Sequence, residues 1–168
     1  LNYFNINYFE VRKNINQKDY INKIKLCRPD VICSSNSLFL GEEILSIPKK
    51  SCLNRHSSLL PSYKGLWPVF HAYINNETSV GVSVHTMNNQ IDSGIILSSK
   101  ELKIEKNDSI YNLYKKCFDE SVEVLIQALQ KVEENDYSDC RISNKDSYFS
   151  WPSSDDWIKF RKMKGRFI

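Results

Sequence analysis

Residues 53–65 read LNRHSSLLPSYKG, and this stretch decides the fold. Ser51–His56 is a short run with β character, and Pro61 and Gly65 punctuate the loop that follows it. In an extended segment, residues two apart share a face, so Asn54 and His56 present an amide and an imidazole together. The loop places both at the C-terminal end of a strand. In open α/β sheets that end is where ligands bind.

Upstream, Tyr20, Ile21, Ile24 and Cys27 fall at helical spacing within 17–28, and Pro29 ends that helix. VICSS (31–35) is a β-branched run just after Pro29-Asp30, the pattern of a buried strand. FLGEEIL (39–45) has room for one or two helical turns before Pro48. Helix then strand, twice, points to an α/β chain with a partly parallel sheet.

Downstream, WPVFHAYIN (67–75) reads as a helix with Pro68 in its first turn, where a missing N–H costs little. VGVSVHTM (80–87) alternates, with Val80, Val82 and Val84 on one face and His85 on the other. IILSSKEL (95–102) is a further strand, antiparallel to or in a hairpin with the previous one. Asn107 or Asp108 is the expected cap of a long helix. Its apolar stripe is Ile110, Leu113, Tyr114, Cys117, Val124, Leu125, Ala128, Leu129 and Val132. Residues 1–134 are expected to form one catalytic unit. Residues 135–168 form an aromatic and basic tail, with YFSWP (148–152), Trp157, Phe160 and RKMKGR (161–166), expected to lie along the domain surface.

Composition sets limits. With 168 residues the chain can bury a sizeable core, and a net charge of +3 is too mild to argue for nucleic acid. Apolar runs are far shorter than the ~20 residues that span a bilayer, so no membrane role is expected. Five cysteines, Cys27, Cys33, Cys52, Cys117 and Cys140, make no CxxC pair, which speaks against zinc and a disulfide framework. They are expected to be reduced and largely packed in apolar surroundings, as suits a cytoplasmic protein.

Asn54 and His56 have a third candidate partner. Asp92 lies in the IDSG turn (91–94) before a strand, where its carboxylate can approach the imidazole and favour the protonated form. An amide and an imidazole can hydrogen-bond a developing oxyanion and move a proton. Taken singly, His56 and His85 also fit as structural histidines, as does His71 in the helix, and Asp92 as a turn residue.

Asn54-Arg55-His56-Ser57-Ser58-Leu59-Leu60-Pro61, then Tyr63-Lys64-Gly65, then Asp92-Ser93-Gly94, resembles the formyltransferase family that uses 10-formyltetrahydrofolate. That family carries an N-x-H-x-S-L-L-P-x-Y-(R/K)-G segment followed by D-x-G, and the resemblance runs from about Asp30 to about Val132. It implies a Rossmann-like open twisted sheet of mixed parallel and antiparallel strands with flanking helices. It also implies an amine acceptor attacking a formyl carbon. His56, as imidazolium, and Asn54 would stabilise the oxyanion. Asp92 would hold His56 and help take the amine proton through water. Pterin contacts, mostly from backbone, would come from Ser35, Asn36, Ser37, Leu38 and Phe39 and from Asn88, Asn89, Gln90 and Ile91. Ser58 would support the loop. Tyr63 and Lys64 would face the acceptor or solvent. No metal is required.

Against the family's pattern, an N-terminal βαβ portion of roughly 60 residues is expected to precede residue 1. The implied acceptors are methionyl-tRNA, glycinamide ribonucleotide or a nucleotide-linked amino sugar. About 35 residues follow the long helix, short for the five-stranded oligonucleotide-binding barrel of the tRNA enzymes, so an amino-sugar nucleotide is expected. The alternatives are a formyltetrahydrofolate hydrolase and a non-catalytic folate-binding module. A homodimer is compatible with the pattern.

Overall fold

The computed structural model describes residues 6–35, 38–141 and 145–168. In chain order the elements are α1 (Lys18–Cys27), β1 (Val31–Ser34), α2 (Glu42–Leu45), β2 (Ser51–His56), β3 (Lys64–Gly65), α3 (Pro68–Ile74), β4 (Ser79–Thr86), β5 (Ile96–Lys103), α4 (Ile110–Glu133), β6 (Tyr148–Phe149) and α5 (Ser154–Lys162). Four strands form an open sheet in the order β1-β2-β4-β5. β1 and β2 are parallel, while β2–β4 and β4–β5 are antiparallel. The mixed α/β sheet with flanking helices is the one the sequence led us to expect.

Local chemistry explains most boundaries. α1 stops at Arg28, which takes a left-handed conformation (φ 47°) directly before Pro29. α3 begins on Pro68, whose absent N–H has no helical partner to lose. The cap of α4 differs from expectation: it is Ser109, whose hydroxyl accepts from Asn112 N at 3.1 Å. Asp108 is occupied elsewhere, accepting from Glu105 N and pairing with Lys116 at 2.6 Å.

The main core lies between the sheet and α4. Leu53, Val82, Val84 and Leu97 pack on Val124, Ala128 and Val132. Each such side chain, fully buried, contributes about 1.5–3 kcal/mol relative to exposure. The cysteines divide: Cys52 and Cys117 are buried, but Cys27, Cys33 and Cys140 are exposed, so most are not core residues. Among the described residues, no helix is long and apolar enough to cross a membrane.

Residues 145–168 are built into the domain rather than laid along it. β6 pairs in parallel with β3, Lys64 opposite Tyr148 and Gly65 opposite Phe149. α5, opened by a capping box between Ser153 and Asp156, buries Phe160 against Phe70, Ile74 and Ile110. Gly65 has φ +92°, and a Cβ there would overlap the Phe149 carbonyl, so only glycine suits this junction.

Candidate active site

β2 delivers two polar groups to one face, and β4 supplies the residues opposite. Asn54 pairs with His85 and His56 with Ser83 across the antiparallel ladder. Directly opposite residues project on the same face, so His85 joins Asn54 and His56 there. All three are buried: Asn54 and His56 are 8% exposed and His85 is 2%. Buried polar side chains persist when they are hydrogen-bonded, and here they bond mainly to one another and to one carboxylate.

That carboxylate is Asp92, on a residue with φ 48°. The turn can approach β4 because position 94 is glycine; a Cβ there would overlap the Thr86 carbonyl. Asp92 Oδ2 accepts from Gly65 N at 2.8 Å and lies 3.6 Å from His56 Nδ1. Oδ1 accepts from Asn54 Nδ2 at 3.3 Å and lies 3.4 Å from His85 Nε2. Asn54, His56, His85 and the Gly65 amide therefore converge on one carboxylate. His85 is the member that sequence reasoning treats as structural. Only the β2–β4 register brings it opposite Asn54.

The loop between β2 and β3 is laced down. Ser58 Oγ donates to Ser62 O at 2.7 Å, and Ser83 Oγ donates to Ser58 O at 2.7 Å. This ties the loop to β4 and places the Tyr63 carbonyl against His56, whose Nε2 donates to it at 2.9 Å. A carbonyl only accepts, so Nε2 carries the proton, and in the neutral ring Nδ1 is the bare nitrogen.

Electrostatics revise the expected charge on His56. Burial pushes its pKa below the usual 6.5, and the pull of Asp92 and of the Tyr63 carbonyl does not make up the difference. The ring is therefore neutral near pH 7, not the imidazolium expected. Burial alone would raise the Asp92 carboxyl. Contact with His85, the charge of His56 and the Gly65 N–H outweigh it and bring Asp92 down to about 2. The two directions agree, because Asp92 titrates in the acid range where His56 does carry its proton. Asn54 also differs from expectation. An ionised carboxylate only accepts, so the amide nitrogen must face Asp92, and the buried Oδ1 has no hydrogen-bond partner in the structure.

These groups line a cleft of about 480 Å³, the size of a small-molecule site. Of the residues expected to contact pterin, Ser35, Leu38, Phe39, Asn88, Gln90 and Ile91 line it. Asn89 turns away, its amide donating to Glu42 at 2.6 Å, while Asn36 and Ser37 lie outside the described residues. Tyr63 and Lys64 do not face the cleft. Tyr63 is buried on the far side, its hydroxyl donating to Glu77 and its ring stacked on Phe149, while Lys64 pairs with Asp146 at 2.7 Å. The cleft is lined also by Trp67, Tyr148 and Trp151, the last 68% exposed and 5.9 Å from Trp67 between ring centres. His71 is structural: Nε2 donates to Ser150 O, and the ring stacks on Phe149.

A family profile described as formyl transferase matches residues 2–129, and the chain belongs to that family. The bifunctional polymyxin resistance protein ArnA of Wigglesworthia glossinidia brevipalpis is 40% identical over 124 residues, 73% of this chain and 19% of its own length. Methionyl-tRNA formyltransferase of Thermotoga maritima is 35% identical over 122 residues, 72% of this chain and 39% of its own. Among solved structures, WlaRD, a sugar 3N-formyl transferase crystallised in the presence of dTDP and 5-N-formyl-THF, is 28% identical. It superposes with a TM-score of 0.62 over 76% of this chain and 47% of its own. The chain thus spans well under two thirds of the length of these relatives.

Proposed function

We propose that this chain carries the catalytic centre of an N-formyltransferase that moves a formyl group from 10-formyltetrahydrofolate to the primary amine of a nucleotide-linked amino sugar. The observation that carries the reading is the convergence of Asn54, His56 and Asp92 within one cleft. The apolar residues Leu38, Phe39 and Ile91 beside that polar set fit a flat, polar-edged folate. Ser35, Asn88 and Gln90 would hold it with them.

The formyl donor supplies an electrophilic carbon whose oxygen gains negative charge as an amine attacks. Neutral His56 has a bare Nδ1, and takes the amine's proton there. Asp92, ionised and 3.6 Å away, stabilises the imidazolium that forms. The new Nδ1–H is then a donor for the formyl oxygen, so one ring serves first as base and then as oxyanion partner. The same proton returns to the departing nitrogen. Asn54 Oδ1 accepts from the amine N–H and orients its lone pair.

The acceptor reading is supported by the exposed aromatic faces of Tyr148 and Trp151, suited to a sugar or base ring. It is also supported by the likeness to a sugar 3N-formyl transferase. The Thermotoga relative favours methionyl-tRNA as the competing acceptor. The test is to mix the chain with 10-formyltetrahydrofolate and a panel of amino-sugar nucleotides or charged methionyl-tRNA, following tetrahydrofolate release by absorbance. Release that needs one sugar amine and is lost in His56→Ala is the expected result. Formylation of the tRNA instead would overturn the acceptor, and release without any amine would make the chain a hydrolase.

A further inference from the structure

We propose that His85 is a positioning residue of the transfer site, a second imidazole that fixes the Asp92 carboxylate and the Asn54 amide relative to His56. Its catalytic consequence rests on the formyl-transfer reading; its geometry does not.

His85 is more deeply buried than Asn54 or His56, and burying an imidazole is costly unless both nitrogens are satisfied. Nδ1 donates to the Thr86 carbonyl at 2.8 Å, which fixes the ring plane. Nε2 is thereby aimed between Asp92 Oδ1 at 3.4 Å and Asn54 Nδ2 at 3.3 Å. Asp92 reaches the site from a turn, not from a strand, so its aim depends on the groups that grip it. Gly65 N holds Oδ2, the oxygen nearer His56, while Asn54 Nδ2 holds Oδ1 and also donates to His85 Nε2, the bare nitrogen of the neutral ring. Each carboxylate oxygen thus faces one imidazole. Loss of His85 would release one side of the Asn54 amide and, through that amide, loosen the grip on Asp92 Oδ1, disturbing both groups that contact the reactants. A purely space-filling role would be met by a β-branched or aliphatic side chain, as it is at Val82 and Val84 on the other face.

His85 also acts on the basicity of His56. Apart from burial, the charges facing His56 are Asp92 from the turn, which favours its proton, and His85 from β4 and Arg55 from β2, which oppose it. Tyr63 O, from the loop, also favours the proton. Removing His85 takes away one opponent and leaves Asp92 undivided, so His56 becomes more basic.

The test compares His85→Leu and His85→Gln with the unaltered chain in formyl transfer across pH, alongside NMR titration of the His56 ring without substrates. His85→Leu is expected to lower kcat about 10- to 100-fold, the scale of a misplaced reacting group, with the KM for 10-formyltetrahydrofolate nearly unchanged. Its acid limb in kcat/KM moves to higher pH. His85→Gln, whose amide can again reach Asp92 and Asn54, recovers most of kcat but keeps the shifted limb, because it bears no charge. Unchanged kcat in His85→Leu would overturn the proposal. So would equal losses in both variants that track thermal stability. The His56 titration decides the coupling without any turnover: an upward shift in His85→Gln supports it and an unmoved titration refutes it. If no amine is formylated by the unaltered chain, the function reading fails while that titration still decides whether His85 acts on His56.

Discussion

The two faces of β2 and β4 are built from the same ladder and do opposite things. One face carries Leu53, Val82 and Val84 into a core shared with α4. The other carries Asn54, His56, Ser83 and His85, all buried but polar. Even the charge on the first face is handled differently. Arg55, between Asn54 and His56, lies with its guanidinium 4.0 Å from the centre of the Phe118 ring and donates from Nε to Ser121. The period of two along a strand lets one segment anchor the fold and hold reactive groups without mixing the two tasks. A hydrocarbon face tolerates neighbours of similar volume, whereas the polar face needs each donor matched to an acceptor.

The sharpest way to break this division is His56→Ala. It should cost at least ~10²-fold in kcat per folded molecule, the scale of losing a general base or oxyanion partner, beyond any loss of stability from the Tyr63 carbonyl left without its donor. Near-normal turnover would remove His56 from the chemistry, and Asn54→Ala should behave similarly. Val84→Ala is the counterpart on the other face. It should lower stability by about 2 kcal/mol, read by denaturant unfolding, with kcat per folded molecule unchanged. A large kcat loss there would show that the faces are coupled.

Asp92→Asn tests a finer point. The amide keeps the shape but not the charge, so turnover should fall about tenfold, the order of one charge-assisted contact, with folate affinity preserved. Loss of folate binding instead would recast Asp92 as a binding residue. The smallest effect is in pH. Because burial holds His56 below 6.5, the acid limb of kcat/KM should lie below pH 6.5; a limb above it would restore an imidazolium in the resting site. Stability follows the same sign. The unfolded chain binds the His56 proton more readily, so stability declines as pH falls below 6.5. Asp92 adds a further loss between about 3.8 and about 2, as its carboxylate is protonated.

Much of the apolar face was legible from sequence because it depends on local periodicity. β2 has the expected six residues, and α3 and the stripe of α4 follow their patterns. Asn54, His56 and Asp92 stood out through spacing and family likeness. The remainder needed contacts distant along the chain. His85 enters through the register of β2 with β4, which no single strand reveals. The neutral state of His56 reflects burial by several elements together. The aromatic wall was missed because β3 and β6 have two residues each, too few for a periodic signal, although Ser153 and Asp156 offered a capping-box pattern for α5.

The β3–β6 pairing has a consequence for the order in which a nascent chain becomes competent. Tyr63 N donates to Ser147 Oγ, and Ser62 Oγ to Lys145 O, across more than eighty residues of sequence. The same β3 segment presents Gly65 N to Asp92. Until residues 145–149 are made, the loop bearing Tyr63 and Gly65 lacks its clasp, even where the sheet has already packed on α4. Residues 145–149 are therefore what turns a folded sheet into a finished site, and a cut between α4 and β6 would release the clasp on Tyr63 and Gly65.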